Sequence, residues 1–276
     1  MLLGFLQRRG RLLGGLVVAL ALSSFVVAAY AYDPAPPAPP GSVNVPATPV
    51  EHVPKQKLHP TAGTTVRRQL SAPNGGVSHF AAVLRPVAVR ARPTGASKVV
   101  ARLGTRTPEG TTNIVLLLAR VDLHRSLWLR VRLPVLPNNT IGWVPRSAIG
   151  GYNVVRTELV VDTKRLRATL YRYGRRIFSA PVGIGKPGTP TPRGRFYIRN
   201  KLSRYANAFY GPVAFGTSAR SAVLTDWPAG GFIGIHGTNE PWLIPGRISH
   251  GCIRMRNADI LRLARLMRPG TPLTIR

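Results

Sequence analysis

From about residue 79 onward, apolar residues recur mostly at every second position, in short runs broken by Gly, Pro and Asn. That is the period of half-buried strands. Val87–Arg92, Ile114–Val121, Trp128–Leu133 and Gly142–Pro145 read as strands. Pro93-Thr94-Gly95, Pro108-Glu109-Gly110 and Pro137-Asn138-Asn139 punctuate them as turns. Further on, Glu158–Asp162, Arg167–Arg172 and Arg176–Val182 read as a meander turning at Thr163-Lys164-Arg165 and Tyr173-Gly174. Phe232–His236 reads as a central strand that ends on its histidine, and Leu273–Ile275 as a closing strand. One stretch changes period. Ile260, Leu263, Ala264 and Met267 make one helical face, with Asn257 as the expected cap, Asp259 in the first turn and Pro269-Gly270 as the stop. The pattern predicts a mainly β chain with a short helix near its end.

The first 78 residues follow neither period. Arg8, Arg9 and Arg11 precede an apolar run from Leu12 to about Tyr32. A positive flank before an apolar core describes a secretory signal, with Ala29-Tyr30-Ala31 as a cleavage site. The run is also nearly long enough to span a bilayer, so residues 1–32 fit a cleaved signal and a retained anchor equally. Either form places the rest outside the cytoplasm. Residues 33–78 read as a Pro-rich disordered linker, since Pro34 to Pro40 favours extended polyproline II and excludes helix or central strand.

Charge adds a partner class. Lys and Arg total 39 against 9 Asp and Glu, a formal net charge of +30. Such an excess attracts polyanions, and anionic wall polymers or a membrane surface satisfy the same electrostatics as nucleic acid. The arginines are scattered through apolar strands and form no single run, so no specific nucleic-acid partner is expected. His52, His59, His79 and His124 have no motif around them and read as surface or linker residues.

Cys252 is the only cysteine, which excludes an internal disulfide. No Cys/His grouping has zinc spacing, so neither metal nor cofactor is expected. A lone cysteine in an apolar run would be a small core residue. This one follows Ser249-His250-Gly251 and precedes Ile253-Arg254-Met255, with His236-Gly237 sixteen residues upstream. A thiol attacks as its thiolate and needs a base beside it. His236 and His250 are both candidates, and backbone N–H groups around Gly251 are candidates for holding an oxyanion. His236 ends a strand, and Gly237 permits close approach of a second backbone, which favours His236 as the base. Ser249 is expected to orient a histidine or hold the loop. Arg254 is expected to clamp a substrate carboxylate or to form a structural ion pair. Tyr210 and Trp227, on the long segment before His236, are candidate cleft residues. No Gly-x-Ser-x-Gly elbow supports Ser249 as a nucleophile.

Ile235-His236-Gly237, the run from Ser249 to Met255, Asn257-Ala258-Asp259, the bend Ala180–Gly185 and the turn Thr191–Phe196 together resemble the L,D-transpeptidases of bacterial cell walls, the YkuD-like catalytic domain. The resemblance covers about Glu158 to Arg276. It implies a β-sandwich catalytic domain over 157–276 with a short helix after the nucleophile. It assigns Cys252 as nucleophile and the upstream His236 as base. It also implies peptidoglycan stem peptides as donor and acceptor, a thioester intermediate, and carbapenem-type β-lactams as inhibitors. Residues 79–150, with Trp128-Leu129-Arg130-Val131 and Gly142-Trp143-Val144-Pro145, resemble a bacterial SH3-like small barrel. Two other functions fit the same residues. One is a noncatalytic wall- or polyanion-binding surface protein. The other is a hydrolase, an L,D-carboxypeptidase or endopeptidase, with water as the acceptor.

Overall fold

The structure is a computed structural model that describes residues 67–71, 76–123, 126–203, 208–226 and 230–276. The expected targeting segment 1–32, the linker up to residue 66, His52, His59, His124 and Trp227 lie outside these residues.

The described chain is mainly β, in two sheets. The first sheet takes its strands from the first half: β1 (Arg67–Gln69), β2 (Ser78–Ala82), β3 (Val87–Arg90), β4 (Val99–Leu103), β5 (Ile114–Leu123), β6 (Ser126–Arg132), β7 (Ile141–Pro145) and β8 (Asn153–Val155). Their order is β4-β3-β7-β6-β5-β2-β8, with β1 added beside β5. Alternation places Val89, Leu117, Leu129, Val131 and Val144 in one core. The linker was expected to run to residue 78, but β1 lies inside it. Arg67–Gln69 is exposed and polar, so no apolar period marks it; antiparallel pairing with Val121 to Ala119 makes it a strand. His79, expected at the surface, is half-buried in β2 and hydrogen-bonds through Nδ1 to the carbonyl of Leu70.

The second sheet comprises β9 (Thr157–Asp162), β10 (Arg167–Arg172), β11 (Arg175–Pro181), β12 (Gly183–Gly185), β13 (Gly194–Ser203), β14 (Val213–Arg220), β15 (Phe232–His236), β16 (Gly246–Ser249), β17 (Ile253–Arg254) and β18 (Pro272–Ile275). Their order is β11-β10-β9-β18-β13-β14-β15-β17-β12-β16. Leu159 and Val161 of β9, and Ala168 and Leu170 of β10, point to the same core as Phe215, Ile235 and Ile253. The helix α1 (Asn257–Leu266) lays Ile260, Leu263 and Ala264 on it, the face that the sequence period marks.

Named contacts join the two sheets. The hydroxyl of buried Tyr197 donates to the carbonyl of Ile114 (3.0 Å). The guanidinium of buried Arg199 pairs with Glu109 (2.6 Å) and lies over the Phe232 ring, 3.6 Å from its centroid. Asn138 exchanges two hydrogen bonds with the backbone of Arg220, and Asn139 Oδ1 accepts from the N–H of Arg195 (2.7 Å).

Candidate active site

β15 carries the histidine. It lies between β14, where Ala214 faces His236, and β17, where Arg254 faces it in parallel register. The N–H of Met255 donates to the carbonyl of His236 (2.8 Å), so the strand end is held on the side of the cysteine loop. The imidazole is 2% exposed. Its Nδ1 lies 2.7 Å from the carbonyl oxygen of Gly237. A carbonyl only accepts, so Nδ1 carries the proton and Nε2 keeps its lone pair. Tyr210 packs edge-on against the ring at 5.0 Å between centroids, and Phe209 lies tilted at 6.2 Å. Tyr210 is buried and packs against the His236 ring.

Burial is the main cause that pushes the His236 pKa down to about 4. The charge of Arg254 adds to the drop, and the hydrogen bond to Gly237 opposes it. The resting imidazole is therefore neutral at physiological pH.

Cys252 is half-buried at the end of a tight loop. The backbone N–H of Gly234 points at its Sγ (3.4 Å). A methyl group added at Gly234 would lie 3.6 Å from His236 Cδ2 and 3.8 Å from Cys252 Sγ. Thiol and imidazole thus face one small space over this glycine. Gly234 was not singled out from the sequence. A glycine inside the apolar strand Phe232–His236 is nevertheless the signal of a close approach.

Ser249 holds the loop. Its hydroxyl donates to the carbonyl of Cys252 (2.6 Å) and accepts from the N–H of Gly251 (3.1 Å). This revises the expected oxyanion role of Gly251, whose N–H is committed inside the loop. Its φ of +118° and a would-be Cβ 2.9 Å from Ile233 Cδ1 explain the glycine. Thr191 braces the loop from outside, donating to the carbonyl of Gly251 (2.7 Å) while accepting from the N–H of Gly185 (2.9 Å). The bend and the turn noted in the sequence therefore meet at the cysteine loop.

The two glycines Gly211 and Gly237 touch. A Cβ on Gly237 would lie 2.9 Å from Gly211 Cα and 2.3 Å from Asn257 Oδ1. Asn257 does not cap the helix as expected. Arg256 occupies that position, and Asn257 Oδ1 instead accepts from the N–H of Thr238 (2.9 Å), tying the chain after the base to the helix start. Arg254 is buried and already engaged. It pairs with Glu240 (3.0 Å), and its guanidinium lies over the Phe209 ring, 4.4 Å from the centroid. The ion pair is the alternative this geometry favours over a free carboxylate clamp. His250 is half-buried beside the loop. Among the described residues, no group of three or more His, Cys, Asp or Glu is placed to hold a metal ion.

Residues 156–275 match the family model described as the L,D-transpeptidase catalytic domain, YkuD. YkuD of Bacillus licheniformis is 39% identical over 106 residues, 38% of this chain and 57% of the relative. YkuD of Bacillus subtilis is 38% identical over 95 residues, 34% of this chain and 51% of the relative. The chain thus spans about half the length of these curated relatives. A solved structure from Bdellovibrio bacteriovorus is 29% identical, with a TM-score of 0.35, covering 44% of this chain and 47% of that one. The matched model and these relatives make residues 156–275 similar to the YkuD L,D-transpeptidase catalytic domain.

Proposed function

We propose that this chain is a cysteine L,D-transpeptidase that crosslinks peptidoglycan stem peptides outside the cytoplasm. The observation that carries the reading is the shared space over Gly234: Cys252 Sγ and the imidazole of His236 both face it, with Nδ1 pinned to Gly237.

The chemistry follows from that geometry. Nε2 of His236 takes the thiol proton as Cys252 Sγ attacks the donor carbonyl. The Gly234 N–H steadies the sulfur as its charge develops. Backbone N–H groups of His250 and Cys252 are the assigned oxyanion donors. The C–N bond to the terminal D-residue breaks, and the imidazolium returns its proton to the leaving amine. A thioester remains. The neighbouring stem's amine then loses a proton to Nε2, attacks the thioester and displaces the thiol. Amide replaces amide, so no nucleotide, metal or cofactor is required. A buried base that returns to its neutral form after each transfer suits both half-reactions.

The expected segment 1–32, as signal or anchor, and the Pro-rich linker would carry the enzyme to the wall. The first sheet is read as an SH3-like barrel. Carbapenem-type β-lactams, whose ring a thiolate opens, are the proposed inhibitors.

Incubating the protein with defined muropeptides and reading the products by mass tests the reaction. A crosslinked dimer that has lost one D-residue is expected, unaffected by a chelator and abolished by iodoacetamide. Shortened stems alone would assign water as the acceptor and a hydrolytic function. No change in the muropeptides would favour a noncatalytic wall-binding role.

A further inference from the structure

A cleft of about 700 Å³ opens between the two sheets, away from Cys252. Its walls come from β5, β6 and β7 on one side and from β9, β10, β13 and β18 on the other. In the second sheet these strands lie two to five positions from β15, so the cleft is separate from the thiol.

The floor is apolar, including Leu116 and Phe196, and the walls bear Arg130, Arg132, Arg195 and Arg276. Among the described residues, the one acidic side chain in the lining is Glu158, which accepts a hydrogen bond from Thr274 Oγ1 (2.9 Å). Arg276 lies 3.6 Å from Asp162. Among the described residues, no hydrogen bond or ion pair is made by the guanidinium groups of Arg130, Arg132 or Arg195. Burial, then the charges of Arg195 and Arg130, push the pKa of Arg132 below its ordinary value. Like charges gathered in a partly dry concavity cost free energy unless an anion joins them. The fold nevertheless holds this cleft open with the Tyr197, Asn138 and Asn139 contacts between the sheets.

We infer that this inter-sheet cleft is a binding site for a phosphate-bearing ligand, held by the guanidinium groups of Arg130, Arg132 and Arg195 above an apolar floor. Guanidinium forks match phosphate oxygens bidentately. Three unpaired guanidinium groups facing one acidic side chain suit a multiply charged phosphate better than a single carboxylate. The concave shape excludes a flat bilayer surface and a nucleic-acid duplex as occupants.

Calorimetric titration of the full chain with inorganic pyrophosphate at fixed ionic strength tests the inference. One saturable site is expected. Arg132→Gln/Arg195→Gln should weaken it at least about tenfold, the scale of lost charge-assisted hydrogen bonds. Arg265→Gln/Arg268→Gln removes the same charge from the exposed part of the helical region and should change affinity less than about twofold. Arg195→Gln alone, at an exposed position, keeps the test valid if the double variant does not fold, and it should still weaken binding while acylation of Cys252 is unchanged. Equal losses in both double variants would reduce the effect to diffuse charge and overturn the site. So would the absence of saturable binding, or binding of duplex DNA or anionic vesicles without binding of pyrophosphate. Equal affinity for tricarballylate would overturn the phosphate assignment.

Discussion

The two ends of the second sheet use charge in opposite ways. Around β15 and β17, polar groups meet partners within the site: Nδ1 of His236 on Gly237, Arg254 on Glu240, Ser249 on its own loop. Around β9, β13 and β18, arginines face a cleft with one acidic side chain among them. The first end is arranged in advance, which is what proton transfer to a fixed lone pair requires. The second leaves its charge balance to something that binds. A net charge of +30 does not distinguish these ends; the partners of each side chain do.

The sharpest break of the comparison is at the base. His236→Gln should lower acylation by about two to four orders of magnitude, the scale of a removed general base. His250→Gln should lose far less, since a backbone donor survives side-chain replacement. Single-turnover acylation rates of the two variants check this. A dead His250→Gln with an active His236→Gln would reverse the assignment.

Next comes the glycine contact behind the base. Gly237→Ala should destabilise the fold by about 1–3 kcal/mol, because the new methyl meets Asn257 Oδ1 and the Cα of Gly211. Chemical unfolding measures it. Gly95→Ala, where a Cβ meets nothing within 4 Å, is the control that should stay near wild type.

The smallest effect sharpens the account of the buried imidazole. Its pKa falls from 6.5 to about 4 on folding. Between these values the unfolded chain binds a proton that the folded chain does not. The contribution of this group is therefore whole above about pH 6.5 and is lost as pH falls toward 4. Between pH 7 and pH 5 the loss should be about 2 kcal/mol. Urea unfolding at both pH values should show wild type losing more stability than His236→Gln; equal losses would mean the imidazole titrates normally.

Parts of this molecule were legible in sequence, and the reason differs by element. β10 matches the expected Arg167–Arg172 because alternation places Ala168 and Leu170 in the core and polar residues out. β13 was not expected, since Arg199, Asn200 and Lys201 break its apolar period. Arg199 and Asn200 are buried because Glu109, far away in the chain, receives both. β4 is half exposed and β8 has three residues, so neither carries a pattern of useful length. Cys252 and His236 stand out in the sequence because the residue types around them are near neighbours in the chain. Gly234, Glu240 and Phe209 do not, because each matters only through a contact that folding creates. Asn257 was misread for the same reason: its helix-start position was visible, its acceptor role toward Thr238 was not.

The central claim is that Cys252 carries the acyl group while neutral His236 moves the proton. Intact-mass measurement after mixing with a carbapenem tests it most directly. Wild type should gain the mass of one ring-opened molecule, His236→Gln should gain it far more slowly, and Cys252→Ser should stay unmodified. The same mass gain on Cys252→Ser, or an equal rate on His236→Gln, would contradict the account.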